Sequence, residues 1–485
     1  MDTFLPPLTP LLSDWMHEAL ADRAHLGELF ERHGSPLNLH HLGPFGDNYR
    51  AYAGVLDAHA LNHLVLFARK ANKCQAFVQE AARLGFGVDT ASYRELKQSL
   101  DLGVDPARLV LTAAIKERRL VELAVAHDVP IMLDNTDECA LVERVAREQG
   151  KEARVGLRIS GFTVDGERLY SRFGVPVEEA VSFVADRLPA EWPSLQFAGF
   201  HFHLNGYSRR ERGAALLATI GCADALRDRG IETAFIDIGG GLLVRYLAEQ
   251  AEWERFMVEL RRAQRGEREP ITFGNDGLGL LLIDGEVRGE PQVYPYYNES
   301  ARADFLAEVL NYRAPGGETV AAMLRERGIE FRMEPGRSLL DQTGMTVARV
   351  AFRKRDSRGD LLVGLEMNRT QLFSSSADFL LDPVMIYHEH VAEPGRDRLE
   401  GYFVGAYCLE QDVILKRKMR FEQMPQIGDW VAFPNSAGYM MHFYESEAHL
   451  FELATNLVAA PGSTRFVPDE AYRPEVAGAQ EIGDS

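Results

Sequence analysis

Cysteine is scarce in this chain of 485 residues: only Cys74, Cys139, Cys222 and Cys408 occur, and no two of them form a C-x-x-C pair. That scatter excludes a zinc knuckle or a disulfide framework and suits a reducing compartment. No metal site is expected. No apolar run approaches the roughly 20 residues that cross a bilayer, and the opening Met1-Asp2-Thr3-Phe4-Leu5-Pro6-Pro7 lacks a basic stretch followed by an apolar one. The expected location is cytoplasmic, with no membrane partner. Basic charge is short as well. Lys and Arg number 53 against 72 Asp and Glu, a formal net charge of −19, which argues against nucleic acid or an anionic surface as the main partner.

What is present is a long globular chain, 46% hydrophobic, with room for two cores. A helical pattern over about Trp15 to Arg32 precedes a brief strand at Pro36 to His40 and a helix near Asn48 to Ala58. A rhythm then sets in. Eight short apolar runs recur at Leu64–Phe67, Phe86–Asp89, Leu109–Thr112, Ile131–Asp134, Val155–Arg158, Phe197–Leu204, Ala234–Ile238 and Glu330–Glu334. Segments with helical spacing, such as Ala76–Ala82 and Leu120–Ala126, separate them. Eight β-α units imply a closed (β/α)8 barrel of TIM type within an α/β fold. The rhythm breaks once, between Gly241 and Glu330, so an insertion is expected at about 242–329. Its charged stretch Arg261–Glu269 reads as a solvated elaboration, with a lid over the site as the alternative. Beyond Arg337 the runs Met345–Phe352, Leu361–Leu365, Gly401–Ala406 and Trp430–Phe433 predict a C-terminal β-domain. From about Pro468 the chain is polar and acidic and reads as loosely ordered. The expected domains are 1–41, a helix and strand joining the β-domain; 42–335, the barrel; and 336–485, the β-domain.

Barrel chemistry lies at the C-terminal strand ends. Here those ends carry Lys70, Asp89, Thr112, Asp134, Arg158, His203, Gly239-Gly240-Gly241 and Glu334-Pro335-Gly336-Arg337. Lys70 reads as a buried amine of lowered pKa, able to form a Schiff base with an aldehyde. Asp134 reads as a helix cap and Thr112 as satisfying backbone groups. The three glycines follow an apolar strand and let backbone amides face a phosphate, although a purely structural turn stays open. They match neither a P-loop nor G-x-G-x-x-G, so no nucleotide is implied. Arg337 could supply a cation for the same phosphate. An amine for an aldehyde, a loop for a phosphate and a carboxylate for a pyridine nitrogen are the parts of a pyridoxal-phosphate site. Taken alone, Cys408 reads as a small core residue.

The runs Phe67–Asn72, Gly85–Ser92, His201-Phe202-His203, Asp237–Gly241, Glu334–Ser338, Gly405–Cys408 with Asp412, and Phe433–Tyr439 resemble the fold type III pyridoxal-phosphate decarboxylases, the group of diaminopimelate and ornithine decarboxylases. The resemblance spans nearly the whole chain in order. It implies an alanine racemase-like barrel followed by a β-domain, pyridoxal 5'-phosphate as cofactor, and a small amino acid or amino-acid conjugate as substrate. Lys70 would carry the cofactor as a Schiff base, with Asp89 orienting it and His203 stacking on the ring. Glu334 would pair with the ring nitrogen, and Gly239, Gly240, Gly241, Arg337 and Tyr439 would hold the phosphate. Cys408 of the partner subunit would donate a proton to the α-carbon in a head-to-tail homodimer with shared active sites. Arg158, Glu410 and Asp412 are candidate substrate contacts. The pattern departs from the family at three places: Asn205-Gly206-Tyr207 replaces a Gly-Ser pair, Leu409 stands where an acid commonly follows the cysteine, and Glu366–Phe373 lacks an Arg-Pro pair. These changes imply a divergent decarboxylase with another substrate. The alternatives are a racemase or epimerase on the same cofactor, or a non-catalytic regulatory homologue.

Overall fold

Eight parallel strands close on themselves in the computed structural model, which describes residues 4–374, 377–389 and 399–474. We number them β1 (His63–Ala68), β2 (Gly87–Thr90), β3 (Leu109–Leu111), β4 (Ile131–Leu133), β5 (Ala153–Ser160), β6 (Leu195–His201), β7 (Phe235–Asp237) and β8 (Glu330–Met333). Each pairs with the next in chain order, and β8 returns to β1 with Arg332 opposite Leu64. The expected barrel is present. Its intervening helices begin and end where side chains satisfy the free backbone groups. Ser92, Asn135, Ser208 and Thr319 each accept an N–H from the first turn of their helix; left-handed Gly150 and Gly328 close the helices that Asn135 and Thr319 open, and Gly85 closes Gln75–Leu84. Leu64, Leu66, Val110, Met132 and Phe235 pack together as an apolar cluster of the barrel.

The chain divides into two compact units. The barrel unit holds residues 46–243 and 300–339, and the second unit draws on 1–45, 244–299 and 340–473. The segment between β7 and β8 is thus split. Residues 244–299 cluster with the second unit, while 300–339 return to the barrel with helices Arg302–Leu310 and Val320–Arg327. Its charged stretch is not uniformly solvated: Arg268 and Glu259 pair at 2.7 Å with both side chains 1% exposed. Tyr294 and Tyr296 are buried too, their hydroxyls accepting the N–H groups of Val244 and Leu380.

The second unit is built on a nine-stranded sheet. Leu37–His41 lies between Gly344–Arg355, antiparallel, and Thr455–Ala459, parallel. Leu361–Leu365, Glu400–Val404 and Trp430–Pro434 are strands of the same sheet. The helix expected over Trp15–Arg32 is two helices, Asp14–Ala21 and Arg23–His33. They break at Asp22, whose ψ of 74° leaves the helical region while its carboxylate accepts the His25 N–H at 3.0 Å. The helix expected from Asn48 starts earlier and runs over Leu42–Ala58. The stretch from Pro468 is ordered at first: Val467–Pro468 pairs with Leu457–Val458, and a short turn of helix covers Asp469–Ala471. Residues 475–485 lie outside the described chain.

Candidate active site

Within the barrel unit, the polar ends of the strands converge. Lys70 sits in a tight turn, Arg69–Ala71, directly after β1, and its Nζ ion-pairs with Asp89 at the end of β2. The expectation of a buried amine is corrected here: the Lys70 side chain is 36% exposed, and the fully buried partner is Asp89. A lysine needs one open side if a substrate is to reach its nitrogen. Thr112 is corrected as well, because its hydroxyl donates to the second oxygen of Asp89 and so belongs to the site. Burial and the charge of Glu334 push the Asp89 carboxyl upward, while Lys70 and Thr112 pull it back.

Asp134 is not the helix cap. Asn135 accepts the Glu138 N–H and caps Thr136–Gln149, whereas Asp134 accepts the Gly174 N–H at 2.8 Å and lies 3.9 Å from Arg158. Arg158, at the end of β5, is nearly buried and stacks over Phe173 at 4.1 Å. Burial lowers its pKa, partly offset by Asp134, Glu334 and Asp89.

The ends of β6, β7 and β8 carry a group that sequence reasoning undervalued. His201 on β6, Asp237 on β7 and Glu334 after β8 are all buried, with donor atoms within 4.8 Å of one another, a spacing that could also hold a metal ion. Among the described residues, Glu334 Oε1, Asp237 Oδ2 and both ring nitrogens of His201 have no hydrogen-bond partner, although His201 Nε2 stands 3.1 Å from Glu334 Oε1. Burial, then the Glu334 charge, holds the Asp237 carboxyl well above its ordinary range. Glu334 is also raised by burial, but Lys70, Arg158 and a hydrogen bond with Asp237 favour its anion. Both carboxyls are thus raised by burial, Asp237 further by the charge of Glu334. Burial and nearby cations hold His201 and His203 well below the ordinary histidine range, so both rings are neutral. The sequence signal for Asp237 was a carboxylate closing an apolar strand.

The glycine loop differs from a simple amide cradle. Gly239 and Gly241 have φ of 67° and 83°, a region that favours glycine. A Cβ on Gly239 would lie 2.7 Å from His203 Nδ1, and one on Gly241 would collide with Arg212 Nη2. Two of the three amides point inward, however: Gly239 N–H donates to Asp237 Oδ1 (2.9 Å) and Gly240 N–H to His203 Nδ1 (3.1 Å). The latter bond fixes His203 as the tautomer protonated at Nε2. Arg337 is half-buried, and its charge acts on the Tyr207 hydroxyl. A cleft beside His203 is lined by Ser160, Gly161, Tyr170, Leu204 and Asn205.

The remaining candidates lie in the other unit. Cys408 is exposed rather than in the core, and Glu410 is exposed beside it. Both oxygens of Asp412 are engaged, accepting the N–H groups of Arg369, in the turn Arg369–Leu372, at 2.7 Å and of Tyr407, in its own loop, at 2.8 Å. The Tyr407 hydroxyl donates to the Ser446 carbonyl at 3.0 Å, and its ring stacks on His449 and Phe451. Tyr439 takes a φ of 72° in the turn after Trp430–Pro434.

Comparisons with known proteins agree with this geometry. The model of the pyridoxal-binding domain of pyridoxal-dependent decarboxylases matches residues 46–270. The uncharacterized protein y4yA of Sinorhizobium fredii is 30% identical over 467 residues, covering 95% of this chain and 93% of that protein. The diaminopimelate decarboxylase of Pseudomonas aeruginosa is 32% identical over 243 residues, which cover 48% of this chain and 58% of that enzyme. Among solved structures, diaminopimelate decarboxylase from Helicobacter pylori complexed with L-lysine superposes with a TM-score of 0.68 at 19% identity, covering 94% of this chain and 99% of that one. The chain belongs to the fold type III pyridoxal-phosphate-dependent decarboxylases. No helix among the described residues is long and apolar enough to cross a membrane.

Proposed function

We propose that this protein decarboxylates an amino acid or an amino-acid conjugate at the mouth of its barrel. The observation that carries the reading is that the same barrel ends hold an accessible lysine, tethered by a buried aspartate, and a buried glutamate whose Oε1 has no hydrogen-bond partner among the described residues. These residues fit pyridoxal 5'-phosphate: a ring N–H would satisfy Glu334, Lys70 would meet the aldehyde, and the loop 239–241 with Arg337 would take the phosphate. When bound, the cofactor supplies an electron sink for the pair left as CO2 departs.

The chain's own residues do the rest. Glu334, whose anion Lys70 and Arg158 favour, could hold a proton on a ring nitrogen. His203, neutral and fixed at Nδ1 by the Gly240 N–H, would present its face to the ring. Asp89, held by Thr112, keeps Lys70 Nζ within reach and accepts its hydrogen bond when the substrate amine takes its place. Lys70 can then carry a proton to or from the substrate carbon. Cys408 as proton donor and the head-to-tail homodimer are proposed on the resemblance. Leu409, standing where the family commonly has an acid, argues for a substrate other than a lysine-like or ornithine-like one. A racemase would need a second base, and Tyr407, the nearest candidate in sequence to Cys408, is committed to Ser446.

Lys70→Ala tests this reading. The purified protein should carry a visible absorbance band from bound cofactor and release CO2 from some amino acid. The variant should lose the band, and its turnover should fall by on the order of 10³-fold or more. An unchanged spectrum refutes the assignment.

A further inference from the structure

Arg212 is the most anomalous charge in the barrel unit. It lies in the first turn of helix Arg209–Arg227, is 1% exposed, and faces inward among Ala215, Leu216 and Thr219. Only one nitrogen of its guanidinium is engaged: Nη2 donates to the carbonyls of Gly206 (3.1 Å) and Gly240 (3.0 Å). Nε and Nη1 are buried and have no hydrogen-bond partner among the described residues. A buried cation with unused donors is costly unless an anion lies close by. Among the described residues the hydrogen bonds of Arg212 go to carbonyl oxygens alone; Tyr207 and Glu211 act on it only through their charge, and burial pulls its pKa down to about 10, leaving it charged at neutral pH.

The two loops that it ties are the ones where a phosphate is expected. Gly206 belongs to the turn Asn205-Gly206-Tyr207, which lacks the hydroxyl residue of the family pattern, and Gly240 is the centre of the triple glycine. The amides of Gly239 and Gly240 are already spent on Asp237 and His203. Positive charge for a dianion must therefore come largely from side chains. Resting on the functional reading above, we propose that Arg212 is a positioning residue for the cofactor's phosphate. It clamps the Gly206 turn to the glycine loop and sets a fixed positive charge behind them, compensating for the missing hydroxyl and the inward amides.

The test compares two ligands that differ only in the phosphate. Apoprotein of wild type, R212M and R212K is titrated with pyridoxal 5'-phosphate and with pyridoxal, read by absorbance and by tryptophan fluorescence. R212M should raise the Kd for pyridoxal 5'-phosphate by about 30-fold, the effect of losing one charge-assisted contact, and leave that for pyridoxal within about twofold. R212K should fall between. Inorganic phosphate should compete less well in R212M than in wild type. Equal weakening of both ligands would mean a structural role only, and an unchanged Kd for pyridoxal 5'-phosphate would also overturn the proposal. Should R212M not fold, the ratio of the two Kd values in R212K decides, an unchanged ratio overturning it. If the wild type takes up no pyridoxal 5'-phosphate, the functional reading fails and this proposal with it; wild-type uptake with an indifferent R212M sinks this proposal alone.

Discussion

Three buried arginines show how differently the two units treat charge. In the second unit, Arg268 uses all three nitrogens, on Glu259, the Glu269 carbonyl and the Phe4 carbonyl. Arg417 in the same unit donates to Asp382 and to the carbonyls of Leu380 and Pro6. In the barrel unit, Arg212 leaves two nitrogens unused, and His201, Asp237 and Glu334 leave further buried polar atoms unused. The second unit's arginines are complete as folded. The barrel mouth is built for something else to complete it, because so concentrated a set of unsatisfied groups is expensive to bury unless a ligand supplies the partners.

The contrast can be broken most sharply at Glu334. Glu334→Gln should lower kcat by about 10²- to 10³-fold while leaving the melting temperature of the apoprotein unchanged or raised, since the folded chain does not depend on Oε1. A large fall in the melting temperature would show that the residue is structural after all. Next comes a paired measurement by urea unfolding of apoproteins. Arg268→Met takes from Glu259 its one buried partner, leaving the more exposed Arg255 and Arg262, and frees the carbonyls of Glu269 and Phe4; it should cost about 2 kcal/mol, whereas Arg212→Met should cost at most about 1 kcal/mol, and equal losses would erase the difference between the units.

The raised Asp237 carboxyl gives a pH signature. Asp237 in the folded protein holds its proton more tightly than in the unfolded chain. Its contribution is therefore present at low pH and lost as pH rises above about 4, the unfolded value, towards the folded one. Between pH 5 and 7 the stability of wild type relative to Asp237→Asn should fall, by at most about 1.4 kcal/mol per pH unit. The neutral histidines, which act in the opposite direction, cancel in this difference. A flat difference would place the proton elsewhere. At the small end, Lys97→Ala removes an exposed pair with Asp101 at 2.7 Å and should leave the urea midpoint essentially unchanged.

The barrel was legible because each strand is a short apolar run closed by a polar residue, and because a 3.6-residue pattern separates each strand from the next. Lys70, Asp89, His203, the glycine loop and Glu334 were legible as residues at strand ends. Their hydrogen bonds were not, since nothing local tells whether a glycine amide faces a ligand or folds back onto Asp237. Thr112 was misjudged for the same reason: its partner is on a neighbouring strand. Arg212 was within reach. Positions 212, 215, 216, 219, 220, 223 and 226 form the buried stripe of their helix, and the sole charge on such a stripe marks a residue held there for a purpose. Residues 244–299 were the hardest to place, because membership in a core depends on contacts formed far along the chain.

The sheet register of the second unit also has a consequence for how the protein is made. Leu37–His41 pairs on one side with residues from Gly344 to Val347 and on the other with Thr455–Ala459. During synthesis this strand emerges early, and more than 300 residues must follow before its first neighbour exists. Until the last segment arrives, its flank is an open hydrogen-bonding edge, a template for other chains. Non-local pairing of this kind slows folding, so chains cut short of residue 455 should aggregate rather than accumulate as a soluble barrel.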